Sequence, residues 1–383
     1  TSDITLSGTL STFAQKTTLT ARDNIQASVN LSVTGALIVT PDSDCTDVGD
    51  LTVDTLTHLL SNDNAMTVTS HDVILHGHLG SGSGLMTIAS CPGKTIDLGG
   101  AGGTGGDLIL SGAEISRLSS TVGLTLSSTT GTINVLAITS AQSLFLTGVT
   151  TIDASGAGGV VSYQADTVWN GGVTIDATAT FTISVNADLT SSNGALLIQT
   201  SGASSITGTA PIVWTSKAGI TLGRPLTIGG TGTFALNSDS DADGTGTTSV
   251  TASGSITITS STASLLQVTA ADMSVLGAIT ANNCPVTLIP TDSLYLGATA
   301  GGFDLTDTEL DLITTTAVLT MGGSGTELVT INGITYNGGA SEVIITATKA
   351  TTSDITLSGT LSTFAQKTTL TARDNIQASV NLS

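Results

Sequence analysis

The amino-acid sequence predicts an all-β fold, a parallel β-solenoid of about 20–24 residues per coil with almost no helix. Three observations carry this reading. Apolar residues alternate with threonine in triplets such as Ile4-Thr5-Leu6, Leu124-Thr125-Leu126, Val173-Thr174-Ile175, Ile256-Thr257-Ile258 and Val286-Thr287-Leu288. Successive strand side chains point to opposite faces, so each triplet buries its two ends and exposes its middle. Between the triplets lie clusters such as Ser127 to Gly131 and Ser191 to Gly194, whose small polar residues favour tight turns. Finally, equivalent triplets recur at coil-like intervals. Leu124/Leu126 returns as Leu144/Leu146 and Leu266/Val268 as Val286/Leu288, and a longer inward column is expected through Ile152, Ile175, Ile198 and Leu222. No segment carries a capped 3.6-residue apolar stripe.

The residues from Thr1 to Ser32 return letter for letter from Thr352 to Ser383. The domain reading follows: residues 1–351 are one full tandem repeat and residues 352–383 begin the next, with Val, Thr, Gly and Ala expected to follow as at Val33 to Ala36. Repeats of this kind stack through raw ends whose unpaired backbone and open apolar cross-section must be covered. The second copy rebuilds the surface of the first, so such a rod has no natural stop.

Composition narrows the function classes. Charged residues are 10% of the chain, aromatics 3%, and the net charge is −20. Lys367 and Arg373 of the second copy cancel Asp354 and Asp374, so each period carries the whole −20. So acidic a surface has no electrostatic footprint for nucleic acid, and no apolar run is long enough for a transmembrane helix. Such a surface favours divalent cations as partners and keeps neighbours spaced by like charge, whereas identical repeats or copies of the chain, end to end, are the partner that the duplicated segment implies.

Several residue groups invite a chemical reading. Asp239, Asp241 and Asp243, followed by Gly244, have the spacing of the first half of a calcium loop, although Val250 stands where a bidentate Glu would complete it. Asp42, Asp44, Asp47 and Asp50 form a second acidic turn. The histidines lie between His58 and His78, and His76 and His78 on one strand face, with His58 one coil away, would offer zinc a site. The Gly-rich run from Gly99 to Gly106 contains GxGxxG, but Asp107 to Leu110 reads as another strand where a nucleotide-binding helix would be needed, so a loop is expected. Asp97, Asp153 and Asp176 read as turn-forming carboxylates at strand ends. Asn30 heads a glycosylation sequon that returns at Asn381. Three cysteines, Cys45, Cys91 and Cys284, permit one intrachain disulfide, for which Cys45–Cys91 is the candidate, or buried thiols, or a bridge to another chain.

The segments Ile4 to Gly8, Leu108 to Gly112 and Leu144 to Gly148 share an [Ile/Leu]-x-Leu-[Ser/Thr]-Gly pattern. With the Thr-rich alternation, this texture resembles the β-helix stalks of filamentous-haemagglutinin-type and other giant bacterial surface adhesins. The resemblance implies an exported, right-handed solenoid rod at the cell surface and transfers no functional residue. The expected function is a structural repeat of an extracellular filament, sheath or stalk, with the rod of an adhesin that carries a separate binding tip as the alternative. No enzymatic activity and no cofactor beyond calcium are expected. A β-helix enzyme acting on carbohydrate needs clustered acids and basic groups in a groove, and the nine Lys and Arg less the two of the second copy leave few. An ice-binding solenoid, suggested by Thr18-Leu19-Thr20, needs an even Thr array that unequal coils would interrupt.

Overall fold

Alternating triplets separated by glycine and serine turns place three strands in each circuit of the chain, and every pairing between circuits is parallel among the described residues. The computed structural model describes residues 2–9, 11–46, 48–101, 107–183, 187–208, 211–259, 265–297 and 301–380. The chain forms two compact units, the first built mainly of Thr1–Thr182 and the second mainly of Ala203–Ser383. Both are β-solenoids.

In the first unit the circuits begin as Ile4–Leu6, Ser11–Phe13 and Thr17–Thr20, then Ile25–Ala27, Leu31–Val33 and Leu37–Thr40. The longest sheet there stacks Thr17–Thr20, Leu37–Thr40, Met66–Ser70, Leu85–Ser90, Gly123–Ser127, Val149–Ala154 and Val173–Ala177 in that order. In the second unit the corresponding sheet runs from Ile212–Ser216 through Thr233–Asn237, Leu265–Ala270, Val286–Pro290, Val318–Gly323 and Glu342–Ala347 to Lys367–Ala372. Inward positions alternate with outward ones along these strands, and Leu37, Val39, Met66, Val68, Ile88, Val268 and Leu288 are fully buried. The few aromatic rings join them, Tyr163 edge-on to Phe181 in one unit and Trp214 edge-on to Phe234 in the other.

The expected column is present within each unit. Ile152 pairs with Ile175 in the first and Ile198 with Leu222 in the second, and the middle step passes from one unit to the next. Leu266/Val268 also pairs with Val286/Leu288. The Leu144/Leu146 expectation is corrected. Leu126 pairs instead with Ile152, because the Thr139 hydroxyl and the Gln142 side chain tie residues 139–142 into a turn. Leu144 and Phe145 are left outside, and only Leu146 turns inward. Coil length is also less regular than the triplets suggest, since Ile88 pairs with Leu126, 38 residues on, whereas Val68 pairs with Ile88 after 20.

Corners explain the serine and glycine content. Buried Ser61, Ser81, Ser120 and Ser191 each donate a hydroxyl to the carbonyl three residues on, at 2.6–2.8 Å. A buried carbonyl without a partner costs ~1–3 kcal/mol, so serine satisfies the corner from inside. At Gly84 a Cβ would overlap the Asn64 carbonyl of the adjacent corner, which restricts that position to glycine.

Among the described residues two single-turn helices, α1 (Gly112–Ile115) and α2 (Asp307–Asp311), interrupt the strands, each opened by a capping box, Ser111 with Glu114 and Thr306 with Glu309. Neither helix is long and apolar enough to cross a membrane.

Candidate functional site

The Asp239 turn is the acidic candidate, and the chain shapes it in a definite way. Ala242 and Gly244 adopt positive φ of 53° and 84°, folding residues 239–244 back so that oxygens of Asp239, Asp241 and Asp243 lie within 4.8 Å of one another. Asp239 is buried. Its Oδ1 accepts the Asp243 amide at 3.2 Å and its Oδ2 accepts the Thr291 hydroxyl at 2.7 Å. Asp243 accepts the amide and hydroxyl of Thr245, and Lys217 Nζ stands 3.9 Å from Asp241. Three carboxylates can supply half of the six to eight oxygens that calcium takes, with Lys217 offering a competing cation.

A counterpart of this turn stands in the first unit. Asp42 is buried, its Oδ1 accepts the Thr46 amide at 3.1 Å, Cys45 has φ of 54°, and Asp44 pairs with Arg22 as Asp241 pairs with Lys217. Cys91 lies against Asp42 Oδ2 at 3.5 Å, where Thr291 lies against Asp239 in the second unit. Cys45 and Cys91 are bonded to each other, with Cα atoms 5.6 Å apart. Bonded sulfurs have no proton to donate, so the Asp42–Cys91 approach is packing and neither sulfur is a metal ligand. The same corner is thus fastened covalently in one unit and by a Thr–Asp hydrogen bond in the other. Cys284 is buried and lies outside the disulfide. Asp47 and Asn381 lie outside the described residues, as do residues 102–106 of the Gly-rich run. The strand expected after that run is present at Leu108–Leu110, paired to Ile96–Leu98.

The histidines are partly as expected. His58 and His78 pair in register with ring centroids 5.6 Å apart, and burial, then the neighbouring His58, holds His78 below its ordinary pKa. His76, however, is exposed in the turn between Asp72–Leu75 and His78–Gly82, because Gly77 there breaks the strand. His71 faces Asp50 at 3.0 Å instead. Among the described residues no histidine joins a cluster of three potential ligands. The Asn30 side-chain oxygen accepts the His58 backbone amide at 2.8 Å. Asp97, Asp153 and Asp176 each stand one residue before the end of their strands; Asp97 is buried and accepts a hydrogen bond from the Asn134 side-chain amide, and Asp153 and Asp176 pair with each other across adjacent strands.

Sequence reasoning missed one repeated constellation. Asp72 accepts the amides of Val73 and Ile109, each at 2.8 Å, and Glu114 reaches from its capping box to the Leu75 amide at 3.1 Å. Asp272 does the same for Met273 and Asp304, and Glu309 for Val275. The signal was available: Ser111-x-x-Glu114 and Thr306-x-x-Glu309 are capping-box patterns, each following glycines. A cleft of about 350 Å³ beside Asp72, His76, Glu114 and Arg117 has the residue types of an acid–base site. Burial raises the pKa of Asp72. Both carboxylates are nevertheless engaged by backbone amides, and the recurrence in the second unit gives them a role in seating the helical insert against the previous circuit.

No protein-family model, no curated protein and no solved structure matches this chain.

Proposed function

We propose that the chain is a structural repeat of an extracellular filament, sheath or stalk. The observation that carries this reading is the 32-residue segment that occurs twice and whose first and fourth strands pair alike in both copies. Ile4–Leu6 lies on Ile25–Ala27, and Asp354–Leu357 lies on Asn375–Ala378 in the same register. Asp3 binds the Asn24 amide and side chain at 3.1 and 3.2 Å, as Asp354 binds those of Asn375 at 3.0 and 3.1 Å. A solenoid whose surface returns after one period is suited to continuation rather than to a closed particle.

Other features support the same reading. The inward aliphatic residues bury the interior of each unit, and the candidate acids serve backbone amides. A disulfide suits an oxidising compartment. Arg22, Lys94, Lys217, Lys349 and Lys367 each stand beside an acid, which leaves little basic surface for nucleic acid. Calcium at Asp239, Asp241 and Asp243 would lower the repulsion within a chain of net charge −20. Immunogold microscopy with antibodies to the chain tests the reading. Label is expected along threads outside the cell, and label confined to the cell interior would overturn it.

A further inference from the structure

The two acidic corners share one architecture and differ at one oxygen. Asp42 and Asp239 are both buried, and each holds Oδ1 against an amide of its own turn, Thr46 at 3.1 Å and Asp243 at 3.2 Å. Asp239 Oδ2 then accepts the Thr291 hydroxyl at 2.7 Å. Asp42 Oδ2 instead faces Cys91 Sγ at 3.5 Å, and while Cys91 is bonded to Cys45 no N–H or O–H among the described residues donates to that oxygen. A carboxylate oxygen withdrawn from water with no donor is costly. Both sulfurs also stand 3.8 Å from the Asp42 carbonyl oxygen, so one residue's backbone and side chain frame the pair.

We propose that this corner, once its bridge is reduced, is a binding site for a thiophilic divalent cation, zinc above all, held by Asp42 Oδ2 and the Cys45 and Cys91 thiolates. Ligand atoms of the three residues lie within 4.8 Å of one another. Zinc at ~2.3 Å from sulfur and ~2.0 Å from a carboxylate oxygen in a tetrahedron sets those two atoms about 3.5 Å apart. Cys91 and Asp42 already stand at that separation. The two sulfurs need ~3.8 Å between them, a gap that a turn of the Cys45 side chain, the one nearer solvent, opens while the Cα atoms keep their 5.6 Å spacing. The Thr46 amide on Oδ1 fixes the carboxylate, and water takes the fourth position on the Cys45 side. Two external thiols give two electrons and two protons to the S–S bond and leave as their own disulfide; zinc then displaces both protons from the sulfurs. Soft thiolates favour zinc over calcium and magnesium. The second unit offers no such site, since Ala242, with φ of 53° against 54° at Cys45, and Thr291 stand where the sulfurs are.

The full-length chain tests this. It is reduced with a phosphine, which takes an oxygen from water as it passes two electrons to the bridge and leaves no competing thiol, and is titrated with cobalt(II) as a spectroscopic stand-in for zinc. The reduced chain is expected to take up a single cobalt ion with thiolate-to-metal charge-transfer absorption, and zinc should displace it. The oxidised chain should show none of that absorption. Cys45→Ser with Cys91→Ser should abolish it, Asp42→Asn should weaken binding about ten-fold or more, and Cys284→Ala, outside the corner, should change nothing. Hydrogen exchange separates a folded site from loose cysteines: zinc should restore to the reduced chain the protection that Leu37–Thr40 and Leu85–Ser90, the strands leading into the corner, have in the oxidised one. No uptake by the reduced chain, equal affinity in Asp42→Asn, or uptake that leaves those two strands unprotected would each overturn the site.

Discussion

Replacing Ile175 by Ala should open the first unit locally and deeply. Ile175 is fully buried and sits opposite Ile152 on the neighbouring strand. Ile→Ala deletes three carbons, which at ~0.8 kcal/mol each removes ~2.4 kcal/mol of transfer free energy. The cavity left against Ile152 raises the total to about 3–4 kcal/mol, within the usual range for such deletions. Thr174, one residue earlier, points outward, so Thr174→Ala should change stability by less than ~1 kcal/mol. In stacked repeats the loss is carried by the altered circuit and its neighbours, so hydrogen exchange by mass spectrometry is the suitable assay. At ~1.4 kcal/mol per factor of ten, amides of Val149–Ala154 and Val173–Ala177 should exchange about a hundred- to a thousand-fold faster in Ile175→Ala. Those of Glu342–Ala347 in the other unit should not change. A Thr174→Ala effect as large as that of Ile175→Ala would refute the alternation, and uniform loss of protection along the chain would refute the local coupling.

Three further outcomes are expected. The native chain should resist trypsin, since its few Lys and Arg sites lie largely in ordered structure, and EDTA should speed cleavage if Asp239, Asp241 and Asp243 hold calcium; resistance unchanged by EDTA, read on a gel, would remove calcium. Reduction of Cys45–Cys91, or Cys45→Ser, should lower the stability of the first unit by about 2–4 kcal/mol for a bridge spanning 46 residues, with no change in the second unit by hydrogen exchange. His78 is held below its ordinary value by burial and by His58, so the unfolded chain takes up the proton first: stability is full above pH ~6.5 and should fall as pH drops through that value toward the folded one. The step should flatten in His78→Gln, and an identical pH profile for that variant would assign it elsewhere.

The sequence by itself determined the class of fold and much of its register. Thr-centred triplets impose a period of two whatever surrounds them, and pairs such as Val268 with Leu288 and Ile152 with Ile175 follow from spacing once each coil is assumed to bury its ends. Spacing failed at Leu144/Leu146, where the local turn at Thr139 and Gln142 outweighs the apolar pattern, and at His76, which Gly77 separates from its expected strand. The constellations assembled from distant circuits were not legible at all. That Thr291 fastens Asp239 as Cys91 fastens the Asp42 corner, or that Glu114 and Glu309 clamp strands 39 and 34 residues earlier, depends on which circuits become neighbours. Inserts of unequal length decide that, and a linear pattern does not encode their return path. The duplicated segment divides the same way: its letters announce a repeat, but only the structure shows that Thr335–Tyr336 pairs with Thr363–Phe364 and buries Phe364.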